Sequence, residues 1–105
     1  MNRSGEIMSP PPKTFLLGQN HPNPFNPATT IGYQIPVESK VRITLFDVAG
    51  REVMTILDQQ TEPGYYKVEL KISGLPSGVY IYKMEAEAVH GLTRFGQERK
   101  LLLLQ

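Results

Sequence analysis

Catalysis needs reactive groups that converge, and in this chain they are few and scattered. His21 lies beside a run of prolines and His90 beside a loop glycine, and neither has a spaced partner of the metal-ligand kind. The serines fall in the N-terminal stretch or in turn-forming segments, and none sits in a strand–turn–helix elbow that would expose a nucleophile. Asp47 and Asp58 flank a hairpin pattern at opposite ends of its strands, where turn residues belong. Glu85 and Glu87 would share one face of a strand, but a calcium site needs a denser loop of oxygen ligands. No glycine-rich phosphate cradle is present. The residues therefore predict no catalytic group, no metal ligand and no cofactor. Tyr65, Tyr66, Tyr80 and Tyr82 raise the alternative of a carbohydrate-binding module. All four fall in strand patterns, however, where an inward ring with its hydroxyl at the rim is ordinary core chemistry.

The totals narrow the class. The 105 residues suit one domain, and a chain of this size buries roughly 60–70% of its unfolded surface. A formal charge of +1 argues against a nucleic-acid partner, which calls for a basic excess. The chain has no cysteine, which excludes disulfides and thiolate metal sites. No stretch approaches the ~20 apolar residues of a membrane span. Met1-Asn2-Arg3 is followed by polar residues, so no signal peptide is expected in this stretch; the chain is either cytoplasmic or a piece of a larger exported protein. Nine prolines and nine glycines between short apolar runs favour an all-β domain.

The elements follow from apolar spacing. Residues 1–13 are polar and end in Pro10-Pro11-Pro12, a stiff proline-rich linker ahead of a β-sandwich over 14–105. Phe15–Leu17 is a short strand. In Asn23-Pro24-Phe25-Asn26-Pro27 each residue before a proline must be extended or turning; Asn23 and Asn26 are expected to bond the backbone two residues on, and Phe25 to plug one end of the core. Thr29–Ile35 places Ile31, Tyr33 and Ile35 on one face. The central hairpin runs from Val41 to Leu57, with a type I turn from Asp47 to Gly50 and a less regular second strand. Pro63-Gly64 fits the middle of a type II turn. Tyr66, Val68, Leu70 and Ile72 form the inner face of the next strand, Leu75 tucks inward from a turn cluster ending at Gly78, and the Tyr80–Tyr82–Met84 face of a central strand is inner. Residues 85–96 read as a hairpin loop rising irregularly into the last strand. Leu101, Leu102, Leu103 and Leu104 then exceed what one buried face needs: two face inward and two are left for the other side. The sum is about seven strands, the pattern of a sandwich of roughly 100 residues.

Four segments, in order, carry a resemblance: Asn20–Pro27 with Thr29–Ile31, Leu45–Val53, Gly74–Tyr80 and Arg99–Leu103. Together they resemble the type A C-terminal sorting domain of type IX secretion cargo proteins, related to the immunoglobulin-like domain of flagellar hook-capping proteins. The resemblance implies an immunoglobulin-like β-sandwich of about seven strands. It implies an address that directs attached cargo through an outer-membrane translocon, from the periplasm to the medium or cell surface. A cell-surface sortase would then cut in or near the linker. Arg99, Lys100, Leu101, Leu102, Leu103 and Leu104 match the terminal motif and are the expected recognition residues. Gly50, Gly78 and Tyr80 match family positions expected to be structural, as are Asp47 and the Asn23–Pro27 loop. The alternative of another class is a structural immunoglobulin-like spacer or self-associating module. The oligomeric state stays open.

Overall fold

The computed structural model describes residues 10–105, so the linker reading of residues 1–9 lies outside the described residues. Seven strands follow in order: β1 (Leu16–Leu17), β2 (Ala28–Ile35), β3 (Ser39–Asp47), β4 (Glu52–Thr61), β5 (Gly64–Lys71), β6 (Gly78–Ala88) and β7 (Arg94–Leu103). They form two antiparallel sheets, ordered β1-β2-β5 and β4-β3-β6-β7.

Period-two sequence makes the core. Ile31, Tyr33 and Ile35 of β2 point inward, as do Val41, Ile43 and Leu45 of β3 and Tyr80, Tyr82 and Met84 of β6; all are buried. Each aliphatic side chain contributes about 1.5–3 kcal/mol by leaving water. Two of these three tyrosines pair their hydroxyls with backbone carbonyls. Tyr82 donates to the Gly18 carbonyl at 2.6 Å and Tyr80 to the Pro76 carbonyl at 2.7 Å. Tyr33 stacks on Tyr66 at 5.4 Å, joining β2 to β5.

The less regular second strand of the hairpin is β4, whose register against β3 shifts twice, between Ile43 and Thr44 and between Leu45 and Phe46. Elsewhere in the strands the structure departs from the sequence reading in three places. Asp58 is no turn residue; it stands within β4, opposite Arg42. Glu62-Pro63 carries the chain from one sheet to the other, and Gly64 is the first residue of β5 without a positive φ, so no type II turn forms. A Cβ there would meet the Tyr66 ring at 3.2 Å, which explains the glycine by close approach. Finally, residues 85–88 and 94–96 are regular strand. Ala86 and Ala88 are buried while Glu85 and Glu87 are exposed, so the alternation of β6 continues and β7 pairs with it without a break from Arg94 to Leu103.

Candidate functional site

The last strand is held from two sides. Along β7, Leu101 and Leu103 are 1% and 0% exposed and belong to the core. Leu102 is half-buried, Lys100 is exposed and Leu104 is 48% exposed. Arg99 is committed inside the fold: its Nε donates to the Leu17 carbonyl at 2.9 Å, tying β7 to β1. The Leu17 N–H donates in turn to the Gln97 side chain at 3.1 Å. The six tail residues thus divide into core (Leu101, Leu103), tether (Arg99) and surface (Lys100, Leu102, Leu104).

The proline-rich loop supplies the other clamp. Phe25 is 2% exposed and closes one end of the core. Its N–H donates to the Leu102 carbonyl and its carbonyl accepts from the Leu104 N–H, both at 3.0 Å, a parallel bridge across the edge of β7. Asn23 does not bond the backbone ahead of it: its Oδ1 accepts from the Leu102 N–H at 2.9 Å, because the strand edge offers an unpaired donor there. Among the described residues the Asn26 side chain has no hydrogen-bond partner; with Pro24 and Pro27 it is exposed, and the Pro27 carbonyl accepts from the Ile72 N–H at 3.0 Å. The residue that does organise the loop, missed in the sequence, is Asn20. It is buried, and its Nδ2 donates to Thr29 Oγ1 at 3.0 Å and to the Pro22 carbonyl at 3.1 Å. The signal was available, since a buried amide beside prolines that lack donors has carbonyls to satisfy.

The hairpin tip behaves as its sequence requires. The Gly50 N–H donates to the Asp47 carbonyl at 3.0 Å, and Gly50 has φ +84°, where a Cβ is costly. Asp47 Oδ1 accepts from the N–H of Ala49 and of Arg51, and Oδ2 pairs with Arg51 Nε at 2.9 Å. The backbone N–H of Arg51, its guanidinium and the Ala49 N–H hold the Asp47 carboxyl below the usual carboxylate range, outweighing the opposing effect of burial. A lowered folded-state pKa means that the carboxylate supports the tip at neutral pH and loses that support as pH falls below about 4. Amide exchange at Ala49 and Arg51 is therefore expected to accelerate with acidification beyond its intrinsic pH dependence. In Asp47→Asn that extra dependence is expected to vanish.

These elements meet on the outer face of the four-stranded sheet. Gly78 opens β6 opposite Leu103. Next to it Val79 faces Leu102, Ile81 faces Lys100 across β7, and Ile81 faces Phe46 across β3. All point away from the core side chains with which they alternate. The result is an apolar corner of Phe46, Val79, Ile81 and Leu102, with Val79 42% exposed. A hollow of about 230 Å³ lies beside it, lined by Phe46, Gly50, Ile81, Lys83 and Glu98. Beyond the corner the face carries ion pairs: Lys83–Glu85 at 3.7 Å, Arg94–Glu87 at 3.0 Å and Arg42–Glu52 at 3.5 Å. Sequence reading identified the inner face of β6 from Tyr80, Tyr82 and Met84 and left Val79 and Ile81 without a role. Their meeting with Phe46 and Leu102 depends on a pairing across three strands.

Among the described residues no three acidic, histidine or cysteine side chains are placed to hold a metal ion. His21 pairs with Thr30 through backbone and His90 is exposed in the β6–β7 turn. The structure is thus an all-β sandwich locked along its last strand, with an apolar corner on the outer face of its four-stranded sheet. A model of the family described as the secretion system C-terminal sorting domain matches residues 20–95. The chain belongs to that family, and the domain is a C-terminal sorting signal of type IX secretion, a family of signals rather than catalysts. The protein that carries it is secreted or displayed on the surface of Gram-negative bacteria. The matched range stops at Phe95, ahead of Arg99–Leu104. No curated protein matches the chain.

Proposed function

We propose that the outer-membrane translocon reads the folded sandwich at the apolar corner, through Lys100, Leu102 and Leu104 of the tail together with Phe46, Val79 and Ile81. The observation that carries this is the corner itself. Apolar groups from β3, β6 and β7 lie adjacent and accessible, and Lys100 stands beside them. Contiguous exposed apolar surface rimmed by charge is where partner proteins dock. Leu101 and Leu103 serve recognition indirectly, by fixing the strand that presents their neighbours.

In this reading the cargo precedes the sorting domain and crosses the periplasm before it meets the translocon. Residues 1–13 are the linker and 14–105 the address, and a cell-surface sortase cuts in or near the linker to attach or release the cargo. The Thr14 carbonyl accepts from Gln34 Nε2 at 3.3 Å, which supports an ordered sandwich from residue 14, and Pro12 is buried, so the end of the proline run already packs on it. Two features support the immunoglobulin-like reading of the fold: the three-plus-four strand order, and the Tyr80 hydroxyl bonded back to Pro76 where β6 begins.

Export of a fluorescent protein tests the site. The fluorescent protein carries an N-terminal export signal and all 105 residues, in a host with type IX secretion. Ile81→Lys/Leu102→Lys is expected to lower the exported fraction by roughly tenfold or more, as loss of two interface anchors does, while thermal unfolding stays within a few degrees of the parent. Undiminished export of the folded variant would remove the corner from recognition.

A further inference from the structure

Of the four sheet edges, three are blunted among the described residues. β1 is 2 residues long. β4 is broken by two register shifts. β7 is covered by the Phe25 bridge, by Asn23 and by its bonds to Leu17. The fourth, β5, is 8 residues long, contains no proline, and runs in unbroken register with β2 on its one paired side. Natural sheets usually disrupt such an edge because it templates another strand.

The backbone phase of β5 follows from its neighbours. The Ile72 N–H bonds the Pro27 carbonyl, and Ala28 pairs with Lys71 in the same register. Hydrogen-bonded pairs alternate in an antiparallel ladder, so Leu70, Val68 and Tyr66 also direct their backbone groups to β2. β2 agrees, since Thr30 and Gly32 spend theirs on the opposite side, with His21 and Gly18. Tyr65, Lys67, Glu69 and Lys71 therefore aim their N–H and C=O groups at the open edge.

We propose that a second copy of the domain fills this edge, β5 against β5, antiparallel about a two-fold axis at Val68. Centred there, Lys67 faces the partner's Glu69 and Glu69 the partner's Lys67, as backbone-bonded pairs with opposite charges. Tyr65, which is 59% exposed, faces the partner's Lys71, a cation over an aromatic face. All four edge residues of each copy are then paired. On the inner side Val68 meets its own copy and Tyr66 meets the partner's Leu70, so Val68 and Tyr66, both half-buried, lose further contact with water. The adjacent registers fail: centring on Lys67 or on Glu69 sets like charges opposite each other, and leaves edge groups unpaired. The two three-stranded sheets would join into one continuous sheet, with the apolar corner left free on the other sheet of each copy.

Sedimentation velocity of the whole 105-residue chain, from micromolar to millimolar, tests this. A reversible dimer is expected. Lys67→Glu and Glu69→Lys each place like charges at both symmetry-related pairs, and each is expected to raise the dissociation constant by roughly tenfold or more. The double variant K67E/E69K restores opposite charges and is expected to return to within a few-fold of the parent, which loss of folding would not do. A monomer across the range, a dimer indifferent to the single reversals, or a double variant no better than the singles would each overturn the proposal.

Discussion

Phe25→Ala is expected to lower stability by about 3–5 kcal/mol, a large share of the ~5–15 kcal/mol typical of a domain. The ring is almost wholly buried at the end of the core, and alanine cannot fill the space. The backbone bonds of Phe25 to Leu102 and Leu104 need no side chain, so the loss is one of packing. In a domain of this length it corresponds to a fall in unfolding temperature of more than about 12 °C, at roughly 4–8 °C per kcal/mol. Urea unfolding of the full chain checks it. A loss below about 1 kcal/mol would show that the loop, not the ring, seals the sandwich.

The second large effect separates the tail leucines. Leu103→Ala is expected to cost about 2–5 kcal/mol, and Leu104→Ala no more than about 0.5 kcal/mol. The first removes a side chain with 0% exposure, the second one that is 48% exposed. Removing residues 101–105 together strips both core leucines, the pairing of β7 with the start of β6, and the Phe25 bridge. Such a truncation is expected to unfold the domain, so its export defect would report on folding. Denaturation midpoints of the two point variants, read beside their export, separate presentation from recognition. Equal stabilities for the two would mean that β7 is not anchored through Leu103.

The fold was legible because alternation is local. Ile31, Tyr33 and Ile35, or Tyr80, Tyr82 and Met84, announce an inner face within a few residues, and the structure buries all six. Turn chemistry was legible where the turn is self-contained, as at Asp47–Gly50, and misleading where the chain changes sheet, as at Pro63-Gly64. Non-local partners were not legible. Asn23 bonds Leu102 across 79 positions and Arg99 bonds Leu17 across 82, and nothing near either residue in sequence names its acceptor or donor. The same limit hid the apolar corner. Lys100 and the leucines were visible as a motif, but the division among them follows from which face of β7 each occupies, and the phase of a run of leucines is set by pairing rather than composition.

The clasp between the first loop and the last strand also bears on timing. Asn23 and Phe25 leave the ribosome long before Leu101–Leu104, yet each needs the other to complete the sandwich. Contacts between such distant parts of a chain form late, because a large loop must close first. The nascent domain therefore has no closed native state until Leu101–Leu104 emerge. A chain that stops short of Leu101 lacks the clasp and both core leucines, so it cannot close the sandwich.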